Sequence, residues 1–246
     1  MNQNSRALQS RRHQILTCWL CITLVLGCFQ AVNGSSYQWE ASLDRVTGIA
    51  TSMETSTVPS HSSLFESLKK GRTSPRDMFT CYPLWLCHGS VTLGILKAQP
   101  FSYGNNKKGI HVQDRIFGVN VLSFGQPTSS SLRMQWREKE SHRRDQSSKS
   151  TITIPIVGGF MASRKKPGGS YSGSLRFVLE QSSSNTYRIE TGIAQDYRPS
   201  LAGPPPVSTV RGWVYQSTQS LLHSYVMWRF HRFCYQQHGE ESEQEL

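Results

Sequence analysis

The stretch STQSLLHSYVMWRFHRF, Ser217–Phe233, is the densest aromatic and basic segment of a 246-residue chain. Ser208 is a suitable N-cap ahead of it, Pro206 lies just outside, and no proline interrupts residues 209–237. Only Gly212 weakens the helical pattern. The segment therefore predicts one long C-terminal helix, around which the rest of the fold is expected to be built.

A helical projection divides this segment into two apolar sides. Leu221, Tyr225 and Trp228 fall on one side, which an ordinary surface helix keeps polar. That side predicts either a cover within the fold or a patch that docks to a protein partner or a membrane surface. His223 falls at the centre of the other, broader side, which is formed by Tyr215, Leu222, Val226, Met227, Phe230, Phe233 and Cys234.

Residues 78–197 show the alternation of antiparallel strands. Apolar side chains share one face in SLRMQWRE (131–138), GSLRFVLEQ (173–181) and TYRIETGIAQDY (186–197). Pro155 indicates an edge position or a bulge, because proline cannot donate to a strand ladder. We predict one α+β domain over 78–238, in which the C-terminal helix packs on a curved antiparallel sheet of about five to seven strands. Residues 239–246 are expected to be a disordered acidic tail.

Two resemblances extend this prediction. About the last 90 residues resemble a small family of uncharacterised, mainly algal proteins, through IPIVGG, SLRFVLE and YRIETGIAQDYRPSLAGPPPVSTVRGWVYQSTQSLLHSYVMWRFH. No activity is assigned to that family, so the resemblance implies none. A run of antiparallel strands closed by one long helix is also similar to the helix-grip, START-like fold. That resemblance implies an apolar cavity between sheet and helix, although a fold does not determine a function.

The N-terminus has the layout of a secretory signal peptide over residues 1–34. RRHQ precedes the apolar run ILTCWLCITLVLGCF, Ile15–Phe29, and small residues follow near Gly34. The run is shorter than the ~18–20 apolar residues of a membrane span, which favours cleavage over the alternative of a single-pass anchor at 15–32. We therefore expect entry into the secretory pathway.

Residues 35–77 are rich in Ser and Thr and show weak periodicity. Such a composition predicts a segment that buries too little surface to order itself. Two interpretations stay open. The segment is either a flexible extension of a secreted protein or a plastid transit segment that follows the signal peptide in a bipartite presequence.

The charge and the cysteines narrow the choice of partners. The formal net charge is +11, but the charges are dispersed, which favours a solvated surface over a nucleic-acid face. A basic RNA-binding module therefore ranks last, with SLRMQWRE as its candidate surface.

Cys81 and Cys87 bracket YPLWL and form either a tight-loop disulfide or two separate thiols. No spacing typical of a metal site and no cofactor motif occurs, so neither is expected.

The predicted function is a non-catalytic module that binds an apolar or amphipathic small molecule, such as a lipid, or a membrane-associated partner. An ion pair between Asp196 and Arg198 is expected where the sheet meets the helix. The alternative is an enzyme of unknown class that uses His223 with Asp196 or Tyr225, although acids are sparse and hydrolase motifs are absent. The ligand-pocket candidates are His223, Tyr215, Met227, Phe230, Trp136 and Phe177.

Overall fold

The computed structural model describes residues 37–58, 60, 62–88, 92–104, 106–133, 148–163, 173–182, 186–194 and 196–236. The predicted signal peptide, the acidic tail and the pocket candidate Trp136 lie outside these residues. Most of SLRMQWRE, on which the RNA-binding alternative depends, lies outside them as well.

A single antiparallel sheet of nine strands organises the described residues. The strands are β1 (Gln38–Leu43), β2 (Ala50–Thr57), β3 (Leu96–Tyr103), β4 (Lys107–Asp114), β5 (Asn120–Phe124), β6 (Thr128–Arg133), β7 (Ser148–Gly158), β8 (Ser174–Ser182) and β9 (Thr186–Ala194). Their spatial order is β1-β2-β9-β8-β7-β5-β4-β3, and β6 also pairs with β7. The predicted α+β class is confirmed, with an antiparallel sheet and a long C-terminal helix in a helix-grip arrangement.

The sheet has more strands than the five to seven expected, for two reasons. The stretch IHVQDRIFGVNVLSFG, 110–125, contributes to two strands, because the chain reverses between β4 and β5. In addition, β1 and β2 come from the Ser/Thr-rich segment and form a hairpin whose second strand pairs with β9 along Ser52–Thr57. The prediction that 35–77 is a flexible or transit-like extension is therefore wrong for residues 38–57, which belong to the sheet and lie before the predicted domain start at Met78.

The composition of β2 explains this error. The burial of Ala50–Thr57 alternates strictly, and the inward residues are Ala50, Ser52, Glu54 and Ser56. From composition alone such a segment is predicted to be disordered, because burying small or polar side chains gains too little free energy to offset the entropy lost on ordering. The strand is ordered all the same, since its backbone is paired on both edges and its inward polar groups find partners inside the fold.

Pro155 lies at the point where one edge of β7 changes its pairing partner from β6 to β5. β6 pairs with β7 up to Thr153, and β5 takes over from Ile156. The Pro155 carbonyl accepts from Gly125 N at 2.8 Å, within the connection between β5 and β6. The missing N–H of proline therefore falls at an interruption of the ladder, as the sequence indicates.

The C-terminal helix covers one face of the sheet. It consists of α4 (Thr209–Tyr215), a π-helical turn (Gln216–Ser220) and α5 (Leu221–Gln236). The side chain of Ser208 accepts from Arg211 N, which confirms the predicted N-cap. In the π-helical turn, the Thr218 hydroxyl donates to Val214 O at 2.5 Å and so satisfies a carbonyl where the regular ladder is interrupted.

Three short helices fill the space between the C-terminal helix and the sheet: α1 (Ser63–Lys69), α2 (Pro75–Thr80) and α3 (Tyr82–Leu86). Ser62 and Ser74 cap α1 and α2 through their side chains. Phe79 stacks on Phe177 of β8 with ring centroids 5.2 Å apart. The interior of the fold on this side is therefore filled by aromatic side chains of the chain itself.

Cys81 and Cys87 are free thiols, so the disulfide alternative is wrong and the alternative of separate thiols holds. The two residues are the N-cap and the C-cap of α3. Six residues of helical rise place their Cα atoms roughly 9 Å apart, whereas a disulfide requires about 4.4–6.8 Å. Cys81 instead donates its thiol to Met78 O at 3.1 Å.

Candidate functional site

The polar inward face of β2 continues into the sheet as a row of paired residues. Glu54 pairs with Thr191 of β9, and Thr191 pairs with Phe177 of β8. All three side chains are buried, and Glu54 is fully inaccessible to solvent. The row thus changes from a carboxylate through a hydroxyl to an aromatic ring, so one end of this sheet face is polar and the other is apolar.

The C-terminal helix places two histidines over the polar end of this row. His223 and His231 lie two turns apart on α5, and both face the sheet. His223 Nε2 lies 3.4 Å from Glu54 Oε1, and His231 Nε2 lies 3.2 Å from Thr191 Oγ1. The predicted position of His223 on the inner side is therefore correct, but the more deeply buried imidazole is His231, which is 1% exposed.

A continuous chain of hydrogen bonds leads from the end of the helix to Glu54. The Thr191 hydroxyl donates to Glu54 Oε2 at 3.3 Å. Because that hydroxyl has a single proton, it accepts from His231 Nε2, and His231 Nδ1 then accepts from the Ser56 hydroxyl at 2.6 Å. Ser56 in turn accepts from the Tyr235 hydroxyl. Every donor in the chain therefore points toward the Glu54 carboxylate.

The ionisation of the chain members agrees with this direction. Burial lowers the pKa of His231 from 6.5 to about 3, so the imidazole is neutral and has one N–H to donate. Burial raises the pKa of Tyr235 to about 12, so the phenol keeps its proton.

The second oxygen of Glu54 has no such support. Glu54 Oε1 and His223 Nε2 are within ion-pair distance, yet neither atom has a hydrogen-bond partner among the described residues. The separation is short enough for attraction, but the angles are not those of a hydrogen bond. A buried carboxylate oxygen without a donor is costly, and this one faces an imidazole whose side chain is 16% exposed. The pair is therefore a buried polar position without hydrogen bonds, and the partly exposed His223 side chain lies between it and the solvent.

Three tyrosine side chains lie within electrostatic range of Glu54. Burial raises the pKa values of Tyr37, Tyr82 and Tyr215, and the negative charge of Glu54 raises each of them further. The Tyr37 hydroxyl is already used, since it donates to Ser224 O at 2.9 Å. We call Glu54, His223 and these three tyrosines the Glu54 site.

The sequence-predicted pocket residues divide into two groups. His223 and Tyr215 belong to the Glu54 site, whereas Met227, Phe230 and Phe177 are fully buried core residues. Phe230 packs against Tyr82 and Trp85 with ring centroids 5.0 and 4.9 Å away. Those three candidates therefore form the packed apolar base beside the site rather than the wall of an open pocket.

The acid that the structure places beside His223 is Glu54, whereas the predicted partners are Tyr225 and Asp196. Tyr225 packs against Trp228, with ring centroids 5.9 Å apart, and its hydroxyl accepts from Arg229 Nη1 at 3.4 Å. Asp196 has a left-handed backbone, with φ 44°, at the junction after β9. The acid beside His223 is Glu54, from a segment that composition excluded from the domain. The ion pair between Asp196 and Arg198 stays a prediction.

The outer side of α5 is partly covered. Leu221, Tyr225 and Trp228 are half-buried, and the Arg232 guanidinium lies over the Trp228 ring at 5.1 Å from its centroid. A partner on this side stays a prediction. Among the described residues, no helix is both long and apolar enough to cross a membrane, and no group of His, Cys, Asp and Glu side chains is arranged to hold a metal ion.

No family model matches this chain, and no curated protein matches it. Among solved structures, the chain is similar to a STAR-related lipid transfer protein from Xanthomonas axonopodis, at 8% identity over 80% of this chain and 97% of that one, with a TM-score of 0.33. It is also similar to a conserved protein from Geobacillus kaustophilus, at 9% identity over 73% and 94%, with a TM-score of 0.25. A third similarity is to Ara h 8.0201, at 13% identity over 79% and 99%, with a TM-score of 0.21. At these values the similarities carry no inference about ligand or activity, and membership of the uncharacterised family stays a prediction.

Proposed function

We propose that this protein binds a small amphipathic molecule at the Glu54 site, through a hydrogen-bond donor on the ligand. One observation carries the proposal: Glu54 is fully buried, and its Oε1 has no hydrogen-bond partner among the described residues. An ionised carboxylate only accepts hydrogen bonds, so the complementary ligand group is a hydroxyl or a protonated amine. A charged ligand donor has the stronger complementarity, because the pair is held away from water.

The surroundings of the carboxylate support an apolar body on the same ligand. The side chains of Tyr82 and Tyr215 are almost completely buried, the charge of Glu54 acts on both of them, and the His223 side chain is partly exposed. Aromatic rings around a single polar anchor are typical of small-molecule sites. The chain of donors from Tyr235 to Glu54 Oε2 fixes one carboxylate oxygen and leaves the other for the ligand.

The test uses three probes with the same alkyl tail and different head groups: dodecylamine, dodecanol and dodecanoate. We expect dodecylamine and dodecanol to bind and dodecanoate to be rejected, because its head group is an acceptor that would face Glu54. Glu54→Gln should lower the affinity for dodecylamine by on the order of tenfold or more, measured by isothermal titration calorimetry. Glu40→Gln, at an exposed glutamate of β1, is the matched control and should bind as the unmodified chain does. Equal binding of dodecanoate would contradict the proposal.

General acid–base catalysis is a second candidate function. The observation that favours it is the acid 3.4 Å from an imidazole, where neither Glu54 Oε1 nor His223 Nε2 has a hydrogen-bond partner among the described residues. The two functions differ in the fate of the ligand. A binding module returns its ligand unchanged, whereas an enzyme alters it, so mass spectrometry of a ligand recovered after prolonged incubation separates them.

A further inference from the structure

Six large apolar side chains are exposed together at one end of β3, β4 and β5, far along the sheet order from β2. They are Leu93 (73% exposed), Ile95 (42%), Ile116 (70%), Phe117 (72%), Val119 (46%) and Phe160 (46%). We call this group the apolar edge. It has no part in the Glu54 site, so its role is independent of the function proposed above.

Backbone hydrogen bonds show that these residues are neighbours. Arg115 N donates to Ile95 O at 2.8 Å, which joins the approach to β3 to the turn between β4 and β5. Asp114 N donates to Val119 O at 2.9 Å and closes that turn. Phe160 N donates to Asn120 O at 2.7 Å, which brings the segment after β7 alongside. Three separate parts of the chain thus present apolar side chains at the same edge.

The turn that carries Ile116 and Phe117 is held in place rather than loose. The Asp114 carboxylate accepts from Ile116 N at 2.8 Å and from Phe117 N at 3.2 Å. Gly118, with φ 68°, completes the reversal in a conformation that favours glycine. The two side chains are therefore exposed on a preorganised turn, and the free energy cost of exposing them is not offset by burial within the described fold.

The charges around the edge are those that suit an anionic surface. Residues 92–99 and 110–120, which form this end of the three strands, contain Lys97 and Arg115 and a single acid, Asp114. Lys97 and Arg115 are exposed and lie at the same end as the apolar edge, since Lys97 pairs with Gln113 next to Asp114. The single carboxylate is occupied by the turn amides. Exposed apolar groups flanked by cations are the pattern of interfacial membrane binding.

We propose that the apolar edge docks to a membrane surface that contains anionic lipids, with Ile116 and Phe117 entering the headgroup region and Lys97 and Arg115 contacting the lipid phosphates. A second copy of the chain is the weaker alternative, because six residues fall well short of the roughly 20–30 residues per side of a stable protein interface. A membrane needs no matching shape, so a small apolar edge is sufficient for it.

Hydrogen–deuterium exchange of the full-length chain tests the proposal, with vesicles of phosphatidylcholine and phosphatidylserine at about 3:1. We expect the vesicles to slow amide exchange across residues 115–118 by about threefold or more, and vesicles of phosphatidylcholine alone to slow it much less. In Ile116→Ser/Phe117→Ser the slowing should disappear. Val210→Ser is the matched control, since Val210 is 71% exposed but lies on α4, and the slowing should persist in that variant.

All of these chains keep residues 1–36, so a difference between them reports the substituted turn alone. Unchanged exchange of residues 115–118 on vesicles would overturn the proposal. Equal slowing by neutral vesicles would overturn the assignment of anionic lipid. Slowing that appears without vesicles and grows with protein concentration would overturn it in favour of a second copy of the chain.

Discussion

Glu54 Oε1 and His223 Nε2 face each other across the helix–sheet interface at 3.4 Å, and neither atom is hydrogen-bonded within the described residues. The other oxygen of the same carboxylate is held by Thr191, at the end of a chain of donors that begins at Tyr235. One carboxylate thus has a satisfied side and an open side. That asymmetry is the basis of the proposed ligand site, and it makes Glu54 a residue that lowers the stability of the empty protein.

Glu54→Gln should therefore stabilise the ligand-free protein, by about 1–3 kcal/mol. The glutamine carbonyl can still accept from Thr191, and its amide can donate to His223 Nε2 without burying a charge. Urea unfolding measures the change in the free energy of unfolding, and Glu40→Gln should leave that free energy almost unchanged. A stability loss in Glu54→Gln would mean that the carboxylate is a structural group rather than a binding group.

The sequence was sufficient to predict the elements with strong periodicity. The C-terminal helix, its Ser208 N-cap and the strands β8 and β9 follow from apolar spacing and local chemistry, and the structure confirms them. The inward position of His223 follows from the same helical spacing. These features depend on residues that are close in the sequence, so a single sequence is sufficient to predict them.

The Glu54 site could not be predicted, because its residues are distant in the sequence and because β2 buries polar side chains where a strand usually buries apolar ones. Glu54, Thr191 and His231 meet through the β2–β9 register and the packing of the helix, neither of which local spacing specifies. The alternation of ATSMETST was the available signal: Glu54 shares its parity with Ala50, Ser52 and Ser56. Composition concealed that alternation, since small polar residues inside a strand resemble a flexible segment.

His231 should make the protein sensitive to mild acid. Its pKa is about 3 in the folded chain and 6.5 without burial, so below pH 6.5 the unfolded chain takes up a proton that the folded chain does not. The free energy of unfolding should therefore fall as the pH drops from 6.5 toward 3, by up to about 1.4 kcal/mol per pH unit from this residue.

Urea unfolding at several pH values tests this slope. His231→Gln should lose some stability at neutral pH, because the glutamine amide does not reproduce both hydrogen bonds of the imidazole, to Ser56 and to Thr191. Below pH 6.5 the free energy of unfolding of this variant should nevertheless change less steeply with pH than that of the unmodified chain. His88→Gln, at an exposed histidine, is the control and should keep the full slope. An unchanged slope in His231→Gln would show that a group other than His231 causes the acid sensitivity.

The cysteines should remain as slow-reacting thiols. Burial raises the pKa of Cys87 to about 11, an effect only partly opposed by the positive charge of Arg115, and burial also raises the pKa of Cys81. We expect iodoacetamide to modify both residues slowly at neutral pH and rapidly after unfolding in guanidinium. Peptide mass spectrometry of the unreduced protein should show no link between Cys81 and Cys87, and such a link would require α3 to unwind.

Two glycine-to-alanine substitutions should change stability in opposite directions. At Gly192 of β9, an added Cβ would lie 2.5 Å from the backbone oxygen of Ser52, which cannot move without separating β9 from β2. Gly192→Ala should therefore destabilise the protein by about 1–3 kcal/mol. At Gly212 of α4, the added Cβ would make ordinary contacts of 3.8 Å with Leu43 and 3.9 Å with Val207. Gly212→Ala should therefore stabilise the protein by roughly 0.5–1 kcal/mol, because alanine favours the helix.

Thermal unfolding of the two variants beside the unmodified chain measures both changes. Because β2 carries Glu54, the loss of β2–β9 pairing in Gly192→Ala should also weaken binding of dodecylamine, whereas Gly212→Ala should leave it intact. If Gly192→Ala were as stable as the unmodified chain, the hairpin of residues 38–57 would not pair with β9 as described. The assignment of Glu54 to the helix–sheet interface would then be lost with it.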